Sequence, residues 1–295
     1  MKLAAIDIGS NAARLLITDV FHDKKKQPEF IKSNLIRVPL RLGLDVFTSG
    51  EISSTRANHL VDTMKAYKHL LDAYEIKHLK ACATSAMRDA KNSKELLKRV
   101  KKETGIEIEV ISGDLEAALI YETHVAEGLE KDILYLYIDV GGGSTEITFF
   151  LNSEVVFKQS FNIGTIRLLK QQVNEGQWEE MKEVIKTRVK GAKEVMAIGS
   201  GGNINKVFSL SKRKEGKPLP LELLRNYYKE MSSFTVTERM SFYKLREDRA
   251  DVIVPALLIY VNVLKWAGVD EILVPKIGLA DGLIHALYDD ILKSL

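Results

Sequence analysis

Cysteine is nearly absent: 295 residues contain one, Cys82. No disulfide can form within the chain, which suits a reducing compartment. Cys82 lies in HLKACATSAM, at the expected end of a buried strand, and no His or Asp pattern accompanies it to suggest a catalytic thiol. Histidine is sparse and scattered: His22, His59, His69, His78, His124 and His285 include no pair with zinc-site spacing. Charge of one sign is also lacking. The net charge is +3 with 28% charged residues, a balance that does not suggest a nucleic-acid binder with a dominant basic stripe. No apolar run approaches the roughly 18 residues expected of a bilayer span. The N-terminal MKLAAIDIGSNAARLLITDV is apolar, but Asp7, Asn11 and Arg14 interrupt it and it has no A-x-A cleavage site, so it does not read as a signal peptide. The expectation is a soluble, cytoplasmic protein with no membrane partner.

What is present points to two domains. The chain is 45% hydrophobic, enough for two cores of ordinary size. Two segments echo each other, LAAIDIGSNAARLLITDV from Leu3 and LYIDVGGGSTEITFF from Leu136. Aligning Asp7 with Asp139 also aligns Gly9 with Gly141. Each reads as strand, acidic residue, small-residue turn, strand: a β-hairpin with an Asp at its mouth. A repeat of this kind predicts two similar α/β domains facing one another. Between and after the hairpins, strands are expected over Ile36–Leu42, HLKACAT, IEIEVIS, EVMAIGS and EILVPKI. Helices are expected over SSTRANHLVDTMKAYKHLLDAYEI, NSKELLKRVKKETG, DLEAALIYETHVAEGL (to Gly128), GTIRLLKQQV, EEMKEVIKTRVKGA, the segment after IGSGG, ADVIVPALLIYVNVLKWAG and LADGLIHALYDDILKSL.

Four glycine turns follow strand-like runs: DIGSN, DVGGGS, IGSGGN and NIGTIR. Glycines let backbone N–H groups encircle an anion, and short Ser, Thr and Asn side chains add donors without bulk. Several such turns, two with an Asp at the strand end, predict a phosphate site. Carboxylates beside phosphate cradles commonly hold Mg²⁺. Alternatively, each Asp caps its own turn by a local hydrogen bond.

Seven stretches occur in order from Ile6 to Tyr260: IDIGSN, ATSAMRDAKN, VISGDLEAALIYE, IDVGGGSTEI, FNIGTIRL, IGSGGNINKV and RADVIVPALLIY. This set resembles the Ppx/GppA family, the exopolyphosphatases and guanosine pentaphosphate phosphohydrolases of the actin-like, ribonuclease H-like superfamily. The resemblance implies an α/β fold of two actin-like domains with an interdomain active-site cleft, in the family's short form. Domain I would be residues 1–122 plus 279–295, with the last helix returning to it, and domain II residues 123–278. It implies Mg²⁺-dependent hydrolysis of a terminal phosphoanhydride by water. The family's general base matches Glu116, its phosphate-binding arginine Arg88, and its metal-associated acids Asp7, Asp139 and Glu146. Phosphate contacts fall to Ser10, Asn11, Gly141, Gly142, Gly143, Ser144, Gly201 and Gly202.

Read from the residues alone, Glu116 is either a base or an acid favoured by a helix N-terminus. Arg88 is either a phosphoryl clamp or the partner of a nearby acid such as Asp89. Ala118 and Ala280 stand where the family often carries basic residues. Lys206, Lys212, Arg213, Lys214 and Lys217 form either a polyanion track or a solvated surface. Two other functions stay open, a non-hydrolytic alarmone-binding sensor and an actin-like ATPase or kinase. The choice between polyphosphate and guanosine pentaphosphate is also open, as is a homodimer.

Overall fold

A computed structural model describes residues 1–22, 27–121, 130–152, 154–275 and 278–294. The chain divides into two compact units: Met1–Thr123 with Gly278–Leu295, and His124–Ile277.

Unit 1 begins with β1 (Lys2–Ile8), β2 (Ala13–Phe21) and β3 (Glu29–Val38). After these come α1 (Leu42–Ser49), α2 (Ser54–Ala73), β4 (His78–Ala83), α3 (Ser85–Asp89), α4 (Ser93–Thr104), β5 (Glu109–Val110) and α5 (Gly113–Tyr121). The sheet order is β3-β2-β1-β4-β5. β1 pairs antiparallel with β2 and parallel with β4. It is central, which is why KLAAIDI is apolar and buried almost throughout rather than alternating. β3 lies at the sheet edge and is mostly exposed. On α2, Leu60, Met64, Tyr67 and Leu71 form the buried face, and Ser53 caps the helix by accepting from the Arg56 N–H. α4 ends at Gly105, whose φ of 72° is the left-handed conformation that terminates helices.

Three expectations are corrected here. The strand expected over Ile36–Leu42 starts earlier and stops at Val38, because β3 is the long return arm of a hairpin pairing from Phe21↔Glu29 to Ala13↔Val38. The segment from Leu42 is instead α1. IEIEVIS yields only the two-residue β5. Of the helix expected to reach Gly128, α5 covers Gly113–Tyr121, and residues 122–129 lie outside the described residues.

Unit 2 repeats the plan with β6 (Leu134–Val140), β7 (Thr145–Leu151) and β8 (Glu154–Phe161), then α6 (Thr165–Leu169), α7 (Glu175–Val189), β9 (Val195–Ser200) and α8 (Gly202–Ser211). It continues with β10 (Leu219–Pro220), α9 (Leu221–Ser233), α10 (Val236–Tyr243), α11 (Glu247–Ala250), α12 (Ile253–Ala267) and β11 (Glu271–Leu273). The order β10-β11-β9-β6-β7-β8 contains the same core path as unit 1: a three-strand antiparallel meander, then parallel strands beside its first member. Even the register irregularities correspond. One lies between Ile17 and Thr18, the other between Phe149 and Phe150, which are matching positions once Asp7 is aligned with Asp139. A bulge at the same place bends both hairpins alike.

The stretch Glu247–Ala267 meets the length and hydropathy requirements of a membrane span, contrary to the sequence expectation. Its apolarity is used for packing: Ile253, Ala256, Leu257, Ile259, Tyr260, Val263 and Leu264 are buried in the unit 2 core. The chain closes with α13 (Leu279–Ser294), which returns to unit 1 and packs on β1, β2, β4 and α5. Its register is held by stacking of His285 on Phe30, centroids 3.9 Å apart, and by ion pairs from Lys32 to Asp281 (2.7 Å) and from Lys80 to Asp290 (2.9 Å).

Candidate active site

In unit 1 the predicted residues gather where the parallel strands β1, β4 and β5 end. The carboxyl ends of parallel strands are the usual ligand position in open α/β sheets. Asp7 stands near the end of β1 and is buried. Its cross-strand partner is Arg14, whose Nη1 lies 2.6 Å from Asp7 Oδ2. The DIGSN turn closes through the Gly9 N–H to the Ala12 carbonyl (3.0 Å). Neighbouring elements brace it. Ser10 Oγ and Ser85 Oγ share a buried hydrogen bond of 2.7 Å, and the carbonyls of Ser10 and Asn11 accept from the N–H groups of Gly43 and Arg41.

Arg88 is exposed at the end of α3, and its Nη1 donates to the Ile111 carbonyl at 2.9 Å. This ties α3 to the entry of α5. There the Ser112 hydroxyl accepts from the Leu115 N–H (3.2 Å), and the Ser112 carbonyl accepts from the Glu116 N–H (3.0 Å). Glu116 therefore occupies the first helical turn, half-buried. Burial pushes the neighbouring Cys82 thiol well above its ordinary pKa, and the charges of Asp7, Glu116 and Glu109 add to the shift. Asp7 and Glu116 thus act on one electrostatic neighbourhood at the end of β4.

In unit 2 the hairpin register places Asp139 directly opposite Glu146. Glu146 is buried, and its Oε1 accepts from the hydroxyls of Ser144 (2.6 Å) and Ser160 (2.9 Å). Asp139 also neighbours Ser200 of β9. Next to it, Gly201 has φ 106°, and a Cβ there would lie 3.0 Å from Asp139 Oδ1. Glycine is needed both for that backbone angle and for the carboxylate's close approach. Beneath the turn, the buried Tyr260 hydroxyl donates to the Ser200 carbonyl, and burial with the Asp139 charge pushes its pKa well up. Asn203, in the first turn of α8, accepts from Arg249 at 3.1 Å. The DVGGGS and IGSGGN turns therefore converge on Asp139.

The fourth glycine turn, NIGTIR, differs. Gly164 is packed against the backbone of Gly142 and Gly143, leaving no space for an anion there. Sequence reading missed several contributors: Arg14, Ser85, Ser160 and Tyr260. Arg14 carried a signal, because the Asp7–Asp139 alignment superimposes it on Glu146. Ser85 and Ser160 are set by pairing that local sequence does not encode. Among the described residues, no group of three or more His, Cys, Asp or Glu side chains forms a ready-made metal cage.

Residues 20–291 match the Ppx/GppA phosphatase family. The chain belongs to the Ppx/GppA phosphatase family. It is a hydrolase of phosphoanhydride bonds, and its fold is the two-domain, actin-like α/β fold of that family. Exopolyphosphatase 1 of Mycobacterium tuberculosis is 25% identical over 98% of this chain and 89% of its own length. A guanosine-5'-triphosphate,3'-diphosphate pyrophosphatase of Pseudoalteromonas translucida is 25% identical over 99% of this chain, which spans 59% of that relative. Among solved structures, an exopolyphosphatase from Cytophaga hutchinsonii superposes with a TM-score of 0.84 at 27% identity, covering 98% of both chains.

Proposed function

We propose that this Ppx/GppA member releases terminal phosphate from inorganic polyphosphate or guanosine pentaphosphate, using water and Mg²⁺. The observation that carries this reading is the Asp139–Glu146 pair at the mouth of the Gly141–Ser144 loop. Two carboxylates side by side fit Mg²⁺ better than a transition metal, because Mg²⁺ takes few protein oxygens and leaves positions for water and phosphate. When bound, the ion neutralises charge on the phosphate oxygens.

The chain's own residues do the rest. Gly141, expected among the phosphate donors, uses its N–H on the Ser144 carbonyl (2.9 Å), so the loop N–H groups of Gly142, Gly143 and Ser144 receive the terminal phosphoryl group, with Gly201 and Gly202 as further backbone donors on unit 2. Unit 1 contributes Ser10, Asn11 and Arg88 as phosphate contacts. Glu116 takes the proton from the attacking water; its half-buried place in a helix's first turn suits a carboxylate that must exchange protons. One buried cysteine fits a reducing interior, so we place the activity in the cytoplasm.

The test is phosphate release from long polyphosphate, short polyphosphate and guanosine pentaphosphate, with and without Mg²⁺, for the wild type and Glu116→Gln. Wild-type release that needs Mg²⁺ and falls by about 100-fold or more in Glu116→Gln supports the reading. Near-normal release by Glu116→Gln overturns the base assignment. Tight guanosine pentaphosphate binding with no release would instead favour a sensor, the reading that Ala118 and Ala280 motivate.

A further inference from the structure

The NIGTIR turn has a structural relation to the phosphate loop that gives it a role. A Cβ on Gly164 would lie 2.4 Å from both the Gly142 carbonyl oxygen and the Gly143 carbonyl carbon, so the two backbones touch. From that contact, α6 captures three successive carbonyls. The Thr165 N–H bonds to Gly141 O at 3.0 Å, and the Ile166 N–H to Gly142 O at 2.8 Å. The third donor is a side chain: Arg167 Nε bonds to Gly143 O at 2.8 Å. A trans peptide is planar, with its C=O and N–H pointing in opposite directions. Each captured carbonyl therefore turns the next N–H away from α6. The N–H groups of Gly142, Gly143 and Ser144 are all set by this one helix.

We propose that Arg167 is a positioning residue for phosphoryl binding. It fixes the Gly143–Ser144 peptide and so aims the Ser144 N–H at the anion. The same peptide carries the Ser144 side chain, which donates to Glu146 Oε1 at 2.6 Å, so Arg167 also steadies one of the two metal-site carboxylates. The first two carbonyls are held by backbone donors, the N–H groups of Thr165 and Ile166, which side-chain changes other than to proline leave in place. The third depends on the Nε of a planar guanidinium, whose direction a flexible ammonium does not reproduce. The inference rests on reading 141–144 as the phosphate-binding loop.

The experiment measures tripolyphosphate affinity by calorimetry and phosphate release from the same compound, for the full chain and for Arg167→Gln and Arg167→Lys. Thermal unfolding is recorded alongside. Both variants should lose about tenfold to a hundredfold in affinity and in kcat/KM, the scale of losing one preorganised donor, with the folded fraction unchanged. Lysine, which keeps the charge and the stem, guards against a glutamine variant that does not fold. A purely structural arginine would lower the unfolding temperature without changing affinity per folded molecule, and that result overturns the proposal. Full affinity in Arg167→Lys also overturns it, because charge rather than the aimed carbonyl bond would then suffice. If the wild type binds tripolyphosphate but releases no phosphate, the hydrolase reading fails while the affinities still decide the role of Arg167. A wild type that binds none overturns both.

Discussion

Arg14 stands opposite Asp7 across the β1–β2 hairpin, 2.6 Å away, at the position that Glu146 holds opposite Asp139 across the β6–β7 hairpin. The two hairpins share pairing register and a mouth aspartate, yet differ in the sign of one cross-strand charge. Opposite charges facing across a strand pair attract, and like charges repel. One hairpin is therefore self-neutralising, and the other sets two carboxylates opposite each other, the pair proposed above to seat Mg²⁺. Duplicated scaffolds have been given complementary electrostatic work by a single residue.

The first prediction concerns the self-neutralising hairpin. Asp7 is 4% exposed at its side chain and Arg14 is 32% exposed, so removing the arginine strands a nearly buried carboxylate. Arg14→Met and Asp7→Asn should each destabilise unfolding in urea by about 1–3 kcal/mol, less than for a fully buried pair because Arg14 is partly solvated. The double variant should lose less than the sum, with a coupling of about 1 kcal/mol or more. Strictly additive losses would show that the contact contributes no net stability.

Much of this was legible in the sequence because it is local. The hairpin repeat, the caps at Ser53 and Gly105, the apolar face of α2 and the place of Glu116 in a first turn all follow from short-range pattern. What was not legible depends on pairing between distant segments. β3 extends to Glu29 because β2 offers it a partner, not because EFIKSNL has strand alternation. Asn92 stands at the N-cap of α4, yet its side-chain amide reaches a distant segment, accepting from the Ile52 N–H (3.0 Å) and donating to the Ile52 carbonyl (2.7 Å). Tyr260 read as one more apolar residue of a core helix, and only the fold shows its hydroxyl under Ser200. The glycine of NIGTIR was recognised as special, but for the wrong reason: it admits a neighbouring backbone, not an anion.

Gly164→Ala tests that correction. The added methyl would meet backbone atoms at 2.4–2.5 Å, and backbone cannot rotate aside as a long side chain can. The expected cost is about 2–4 kcal/mol of stability, the upper range of overpacking. Because the displaced atoms belong to the phosphate loop, phosphate release should fall by more than tenfold even at temperatures where the variant is folded. Wild-type stability together with wild-type release would mean that the loop and α6 are not in close contact.

A pH prediction follows from Asp45, which links α1 to the start of α2. Burial raises its pKa, but hydrogen bonds from Ser53 and Arg56 outweigh burial and hold it below the ordinary 3.8. Its Oδ2 accepts from Ser53 N–H at 3.0 Å and its Oδ1 from Arg56 Nε at 2.8 Å. A folded pKa below the unfolded one means that protonation favours unfolding. The contribution is therefore complete above the ordinary value and disappears as pH falls through it to the lower folded value. Asp45→Asn should be less stable than wild type by about 1 kcal/mol at pH 6–7, and the gap should close below about pH 4. Urea unfolding at several pH values measures it. A gap that widens on acidification would have the wrong sign for this linkage.

The last prediction separates the two mouth aspartates by metal binding. If the Asp139–Glu146 pair seats the divalent ion, Mn²⁺ followed by electron paramagnetic resonance should bind the wild type. Binding should weaken by more than about 30-fold in Asp139→Asn and in Glu146→Gln, since Mg²⁺-type sites rest on one or two carboxylates. Asp7→Asn should change Mn²⁺ affinity by no more than about threefold, because Arg14 already occupies that carboxylate. Stability in chelator gives an independent and opposite sign. Facing carboxylates repel, so Asp139→Asn should leave the metal-free protein as stable as wild type or stabilise it by up to about 1 kcal/mol. Asp7→Asn loses an ion pair and should be less stable under the same conditions. Equal loss of Mn²⁺ in Asp7→Asn and Asp139→Asn would contradict this division and return Asp7 to the metal site, where the Arg14 contact would have to give way for the ion to bind.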